Sequence, residues 1–304
     1  MGAAFSTITG NTIHDIHTRM LFAGAEQAGI KFHGAVDVEI SRNHIYHTTR
    51  GIWLDWMAQG TRITGNFLHD NAADKINWRQ HWEDLRAGGE QDLFVEVNHG
   101  PFLVDNNIFL SAYSVNNRSE GGAYVHNLFA GAFRVVPDDA RQTPFLQPHA
   151  TEIAGLHHHQ SGDDRYYNNL FVPPSDLSGY NEAKLPVWME GNVFLGGAKP
   201  STQEPHPLVK PDFNPLIKLS EKPDGFYLHL VLPGARSMKA NRKLVTTDRL
   251  GKAQIPNLPF ENPDGTPLKV DADYFGSKRN SKNPFPGPFE VVEKSDAIKV
   301  WPRN

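Results

Sequence analysis

Two acidic residues, Asp55 and Glu96, occupy the same position in two similar five-residue segments of the chain, residues 51–55 and 92–96. A third segment of the same form lies upstream at residues 29–33. Each segment alternates apolar and other side chains with the two-residue period of a β-strand. If the three segments stack in register, Asp55 and Glu96 project from the same face of neighbouring strands.

Two carboxylates in this arrangement could cleave a glycosidic bond. Neighbouring strands lie about 4.8 Å apart, which places the carboxylates about 5 Å apart. That separation is typical of a retaining glycosidase and too short for an inverting one. One carboxylate attacks the anomeric carbon, while the other protonates the leaving oxygen and then activates water. Their mutual repulsion raises the pKa of one carboxyl and keeps it protonated. We therefore predict Asp55 and Glu96 as the catalytic pair.

The competing interpretation of this pair is structural. Acidic residues on the outside of a solenoid are commonly only solvated. Like charges directly opposite each other are unfavourable, however, so a purely structural stack would avoid them. The unfavourable placement of Asp55 beside Glu96 therefore favours a functional role.

Aromatic and polar residues around the pair could form the rest of a sugar site. Trp53 and Trp56 flank Asp55 and offer apolar faces to a sugar ring. Four polar side chains on or directly after the same segments are expected to contact sugar hydroxyls: Lys31, His33, Asn98 and His99.

Three consecutive histidines at residues 157–159 resemble a metal-binding tract. Only alternate residues of a strand share a face, so the tract predicts no zinc site, and we predict no metal ion and no cofactor. Residues 155–159 also repeat the five-residue pattern, which predicts that His159 lies near the face of Asp55 and Glu96.

The elements that position these residues are repeats of the form Asn-x-aliphatic. The copies start at Asn11, Asn43, Asn66, Asn106, His126, Asn168 and Gly191. The short steps of 20 to 23 residues fit one coil of a parallel β-helix, and the longer steps fit a coil with an insertion or two coils. Asparagine suits the corner of such a coil because it tolerates the left-handed conformation and can stack its amide on the next coil. A leucine-rich solenoid is disfavoured because its strict leucine pattern is missing.

The predicted fold is therefore all-β. Residues 1–197 are predicted as β-helix coils that carry the site, interrupted by a partly helical insertion at residues 71–91 in which Trp78 and Trp82 share one side. Residues 198–304 begin with a proline-rich linker and continue as a turn-rich β extension packed along the helix.

Composition limits the partners and the side-chain chemistry. The chain has 304 residues, of which 39% are hydrophobic and 21% charged, which is typical of a globular protein. Its net charge of −4 gives no reason to expect nucleic acid or an anionic membrane. No apolar run approaches the ~18 residues of a membrane span. Without cysteine, disulfides and thiol chemistry are excluded.

The N-terminus carries neither a basic nor an apolar signal-peptide region, which favours the cytoplasm. It begins inside a repeat, so we expect the chain to be cut from a longer protein. The first coil would expose an open sheet edge, which a cap or a homo-oligomer would cover.

Three long motifs carry a family resemblance: GIWLDWMAQGTRITGN, DLFVEVNHGPFLVDNNIFLS and GDDRYYNNLFV. They resemble glycoside hydrolase family 120, β-xylosidases built on a right-handed parallel β-helix, and the likeness covers most of the chain. The resemblance implies a retaining mechanism in which Asp55 corresponds to the nucleophile and Glu96 to the acid/base. It also implies that Glu26, Lys31 and His33 line the sugar subsite. The chain departs from the family in its shorter N-terminus and its longer insertion.

The resemblance thus predicts a β-xylosidase that releases xylose from the non-reducing end of xylo-oligosaccharides by double displacement. Two alternatives stay open. A parallel β-helix polysaccharide lyase would use Ca²⁺ and an Arg or Lys base, but the stacked face lacks a cluster of acidic ligands beside an arginine. A non-catalytic carbohydrate-binding β-helix would bind sugar without turnover.

Overall fold

The computed structural model describes residues 3–16, 26–71, 91–234, 238, 240–290 and 297–303. Within them, short parallel strands wind in successive coils and pair from coil to coil in three sheets. This is the all-β parallel β-helix predicted from the sequence. The helix predicted around Trp78 and Trp82 lies outside the described residues. In the described part of the chain, no helix is long and apolar enough to cross a membrane.

Three parallel sheets form the walls of the β-helix over the described residues. The first sheet contains Thr7–Thr9, Glu39–Ser41, Thr61–Thr64, Phe102–Asp105, Gly122–Val125, Arg165–Tyr167 and Trp188–Glu190. The second contains Thr12–His14, His44–Tyr46, Phe67–His69, Ile108–Phe109, Leu128–Phe129, Leu170–Phe171, Val193–Leu195 and Leu208–Lys210. The third, which we call the site sheet, contains Ile30–His33, Ile52–Asp55, Gln91–Glu96, Tyr113–Arg118 and Ala132–Val135.

Apolar side chains fill the interior of the coils. On the site sheet, the inward positions are fully buried and hold Ile52, Leu54, Leu93 and Val95. Deeper in the coils, aromatic rings stack at centroid distances of 4.8 to 5.2 Å in the order Phe109, Phe129, Phe171 and Phe194. Because successive side chains of a strand point to opposite faces, the buried positions force the alternate ones outward.

An asparagine ladder runs along the corner between the first and second sheets. In it, the backbone N–H and the Nδ2 of one residue both donate to the Oδ1 of the next: Asn11, Asn43, Asn66, Asn107, Asn127, Asn169 and Asn192. Glu204 accepts the last pair of these bonds. The predicted amide stacking is confirmed.

The left-handed conformation falls on the predicted repeat starts Asn106 and Asn168, whereas at Asn11, Asn43 and Asn66 it lies one position earlier. Positive φ values occur at Gly10, Arg42, Gly65, Asn106, His126, Asn168 and Gly191. The physical reason is that two consecutive residues of each corner have different roles. The first residue turns the chain, and the next packs its amide inside the turn, where it satisfies buried backbone groups.

Removing an interior amide of the ladder should destabilise the protein. Asn107 Oδ1 accepts from the N–H and the Nδ2 of Asn66 at 2.8 and 2.9 Å, and Asn107 Nδ2 donates to the carbonyl of Ile63 at 2.9 Å. Asn107→Ala leaves these buried groups unpaired, so we expect the free energy of unfolding to fall by about 3 kcal/mol. Asn11→Ala, at the exposed end of the ladder, should cost less than about 1 kcal/mol. Urea unfolding measures both, and equal losses would contradict a cooperative ladder.

The C-terminal residues form small antiparallel sheets that pack on the helix. One sheet joins Lys218–Lys222, Gly225–His229 and Ile298–Pro302; two others pair Val245–Thr246 with Lys269–Val270 and Lys252–Ala253 with Leu258–Pro259. The described residues also include two short helices, Ser178–Tyr180, of the 3₁₀ type, and Thr247–Leu250. Apolar contacts join extension residues such as Leu228 and Phe289 to coil residues such as Leu128. Coil pairing itself continues past residue 197, the predicted boundary, to Leu208–Lys210.

Residues 139–159 leave the coils as a hairpin. Asp139–Leu146 pairs antiparallel with Ile153–His159. The prediction that residues 155–159 repeat a coil strand is therefore wrong. The two-residue alternation on which it rested is common to all strands and does not specify the partner strand. The hairpin nevertheless lies beside the site sheet, and its side chains contact residues of that sheet.

Candidate active site

The site sheet brings three of the predicted residues into one row on its outer face. The strand register pairs His33 with Asp55 and Asp55 with Glu96. A second outward row contains Lys31 beside Trp53. This is the register predicted from the sequence. Asp55 and Glu96 therefore project from adjacent parallel strands, whose usual spacing is about 4.8 Å.

Asp55 is held through one of its two carboxylate oxygens. The side chain is 4% exposed, and Oδ2 lies 2.5 Å from Lys31 Nζ and 2.9 Å from His33 Nε2. Lys31 also contacts Glu26 Oε2 at 2.5 Å. Oδ1 of Asp55 is buried and receives no hydrogen bond from the described residues. The structure thus brings Glu26, Lys31 and His33 together around Asp55, with Oδ1 left unpaired.

Glu96 is a largely buried carboxyl in contact with a cation. Its side chain is 12% exposed, and Oε1 lies 2.8 Å from Arg141 Nη2. Burial, the largest cause, raises the pKa of Glu96, and the negative charge of Asp55 raises it further. The contact with Arg141 and the charge of Arg118 oppose this shift without cancelling it. A raised pKa is what a carboxyl needs in order to donate a proton near neutral pH.

The hairpin that carries Arg141 is anchored to the coil corner directly after Glu96. Thr143 Oγ1 donates to the carbonyl of Val97 at 2.9 Å and lies 2.8 Å from His99 Nε2. Further along, the amide of Gln59 donates to the carbonyl of Leu146 and accepts from its N–H, both at 3.0 Å. Because both anchors are buried, the hairpin strand is fixed against the edge of the site.

The structure does not leave Trp53 open to a sugar. Its side chain is 4% exposed, and its ring lies 5.1 Å from that of Phe94. The cations of Lys31 and Arg50 lie 4.0 and 4.8 Å from its ring centroid. The indole therefore acts as a platform for the residues around Asp55, in place of the expected sugar contact. Trp56 is only partly buried and turns the chain with a φ of 47°.

Asn98 and His99 also differ from expectation, because neither side chain reaches solvent. Asn98 is fully buried at another coil corner, where Oδ1 accepts from the N–H of Ala58 and Nδ2 donates to the carbonyl of Leu54. His99 is 2% exposed, and its Nδ1 lies 2.6 Å from Glu120 Oε1. Both residues are structural here, since their polar atoms are occupied within the protein.

Among the described residues, two groups of side chains have donor atoms close enough for a metal ion: Glu26, His33 and Asp55, and separately His99, Glu120 and His157. In the first group, Lys31 Nζ already contacts two of the carboxylates. In the second, burial opposes ionisation of Glu120, but bonds from His159, His99 and the Gln160 backbone outweigh it and lower its pKa to about 2. Ion pairs thus account for both groups, and the absence of a metal stays a prediction.

Sequence reasoning missed the hairpin residues Asp139 and Arg141. Their only signal is an acid and an arginine two residues apart, the spacing that shares a face in a regular strand, although the register here shifts between Asp139 and Gln142. Nothing in the spacing shows that this face meets Glu96, because an antiparallel excursion has no repeat to set its position.

Comparisons with known proteins agree with this fold. A family model described as a right handed beta helix region matches residues 1–130, consistent with the predicted hand. Among solved structures, that of XylC in complex with xylose superposes with a TM-score of 0.85 at 35% identity. The match covers 98% of this chain and 48% of that one, so the chain spans about half the length of XylC. A search of curated protein sequences found no match.

Proposed function

We propose that the protein is a retaining glycoside hydrolase, with Asp55 as nucleophile and Glu96 as acid/base. The observation that carries this proposal is the direct register pairing of the two residues on adjacent parallel strands. At the usual strand spacing of about 4.8 Å, this pairing suits a double displacement, for which the carboxyl groups lie about 5–5.5 Å apart.

The surroundings of Asp55 suit a nucleophile. Lys31 and His33 contact Oδ2 and stabilise the carboxylate as an anion. This leaves Oδ1, which no described residue bonds, as the oxygen that attacks the anomeric carbon once the side chains covering it make way for the sugar. A buried carboxylate oxygen without a partner is costly, and forming a glycosyl ester relieves that cost.

The surroundings of Glu96 suit a group that first gives and then takes a proton. Its raised pKa favours the protonated form that donates to the leaving oxygen. When Asp55 becomes an ester, its negative charge disappears, and the pKa of Glu96 falls. The carboxylate can then accept a proton from the attacking water. The same two residues therefore serve both halves of the reaction.

Xylose-containing oligosaccharides are the substrates we propose. Two observations support them: the likeness at 35% identity to XylC, a protein solved with xylose bound, and the resemblance of three long motifs to the β-xylosidases of glycoside hydrolase family 120. The cations and hydrogen-bond donors around Asp55, from Lys31 and His33, are groups that recognise sugar hydroxyls. The proposed reaction is release of xylose from the non-reducing end of β-1,4-xylo-oligosaccharides.

Proton NMR of aryl β-xyloside hydrolysis tests this proposal. We expect β-xylopyranose to appear first, followed by the α-anomer through mutarotation, because double displacement retains configuration. Incubation with an activated 2-deoxy-2-fluoro-xyloside should add one sugar mass to the peptide that contains Asp55. First appearance of the α-anomer would exclude retention. Unsaturated products would instead indicate a lyase, and xylose binding without any turnover would indicate a binding protein.

A further inference from the structure

The hairpin presents to Glu96 a charge pair that the proposed reaction has not yet used. Arg141 Nε and Nη2 bind Asp139 Oδ1 and Oδ2 at 2.8 and 2.6 Å, which is a bidentate contact. The same Nη2 lies 2.8 Å from Glu96 Oε1. One guanidinium nitrogen is therefore shared between a hairpin carboxylate and the acid/base carboxyl.

Both residues are held in place from several sides. Thr143, two positions after Arg141 on the hairpin strand, is fully buried and anchored to the corner after Glu96. Arg118 lies on the site-sheet strand next to Glu96 and reaches to 3.9 Å from Asp139. A bidentate arginine–carboxylate contact fixes the plane of the guanidinium. The direction from which Arg141 meets Glu96 is thus set by Asp139.

We propose that Arg141 and Asp139 form a positioning pair that holds the Glu96 carboxyl by Oε1 and leaves Oε2 to exchange the catalytic proton. The inference rests on the proposed role of Glu96. An arginine alone would position Glu96 but would favour its ionised form and so weaken it as an acid. Asp139 neutralises part of that charge, so the pair positions Glu96 with a smaller loss of proton donation than arginine alone would cause.

Several other charges face Glu96. Asp55 lies on the preceding strand, Arg118 on the following one, and Arg50 at the corner before the Asp55 strand. These groups remain present when the hairpin pair is changed, although Arg118 also lies 3.9 Å from Asp139. The direction of the change in the Glu96 pKa is therefore defined for each variant. The pKa rises when Arg141 is replaced and falls when the Asp139 charge is removed.

The test is the pH profile of kcat/KM for an aryl xyloside with a poor leaving group, whose alkaline limb reports loss of the acid's proton. Arg141→Met should move this limb up by about one pH unit, and Asp139→Asn should move it down by up to about one. Arg141→Lys should return the limb close to its original position yet leave kcat reduced, because lysine keeps the charge without the fork geometry. A merely structural role would lower kcat in all three variants without limb shifts of opposite sign.

Asp138→Asn is the matched control. Asp138 is the neighbouring acid, exposed and paired with Lys184 at 2.8 Å. Its substitution should leave the limb in place. Limbs that stay fixed in the Arg141 and Asp139 variants, or an equal shift in the control, would overturn the positioning pair.

A second measurement separates this inference from the proposed function. Titration of the Glu96 carboxyl carbon by ¹³C NMR, assigned by its loss in Glu96→Gln, reports the same pKa changes without turnover. Unchanged titration in the Arg141 and Asp139 variants overturns the pair even if xyloside hydrolysis is found. If the protein is inactive but the Glu96 pKa shifts in opposite directions in the two variants, the positioning pair is supported and the hydrolase assignment is rejected.

Discussion

Asp55→Asn is expected to lower kcat/KM for aryl xylosides by about 10⁴-fold, of the order seen when a catalytic group is removed. The amide keeps the shape of the side chain but cannot form a glycosyl ester. Lys31 and His33, both within 2.9 Å of Asp55 Oδ2, lose the anion that they stabilise. The value of kcat/KM is measured by stopped assay with an aryl xyloside that has a very good leaving group, because the residual activity of the variant is easiest to quantify with such a substrate.

The stereochemistry of rescue makes this prediction specific to a nucleophile. In Asp55→Gly, azide should enter the vacated space, attack the anomeric carbon from that side and give the α-xylosyl azide. The Asp105→Asn variant is the control, because Asp105 is also a buried acid in an ion pair, 2.8 Å from Arg62 Nε. That change should lower the melting temperature and preserve kcat. Full activity in Asp55→Asn, or an equal loss in the control, would end the assignment of Asp55.

The part of the site built on coil repeats could be predicted from the sequence. Ile52 and Leu54 are inward and Asp55 outward because a strand alternates its side chains, and stacking the coils carries that alternation to Glu96. The asparagine ladder follows from the same repetition. Because the repeats recur with a recognisable spacing, the register between coils can be predicted from the sequence.

The residues that cover the site do so through contacts between segments that are distant in the sequence. The spacing of the repeats does not predict these contacts. Trp53 points outward as expected, yet Lys31 and Arg50 cover its ring. His99 was predicted to face a sugar, but the hairpin folds over it and Thr143 bonds its Nε2. Arg141 reaches Glu96 through the same hairpin. Trp53 is covered by residues of the coils, whereas the contacts of His99 and Arg141 come from the hairpin, which has no repeat and is docked by tertiary packing alone.

Glu96→Ala should affect the two halves of the reaction differently. Departure of a good leaving group such as 2,4-dinitrophenolate needs no proton, so the first step should survive while attack by water slows. A burst of phenolate followed by slow turnover is then expected. A poor leaving group needs the acid, so kcat/KM for xylobiose should fall by about 10²–10⁴-fold. Pre-steady-state absorbance measurements and product analysis supply the two readouts.

The chemistry of rescue again identifies the residue. Azide needs no general base, so it should accelerate turnover of the activated xyloside by Glu96→Ala and give the β-xylosyl azide, because the intermediate on Asp55 is attacked from the face that Glu96 occupied. The opposite product in the Asp55 variant would then locate the two carboxylates on opposite faces of the sugar. Equal losses for good and poor leaving groups, with no azide product, would be incompatible with an acid/base role for Glu96. The raised pKa of Glu96 would then reflect only its burial beside Asp55.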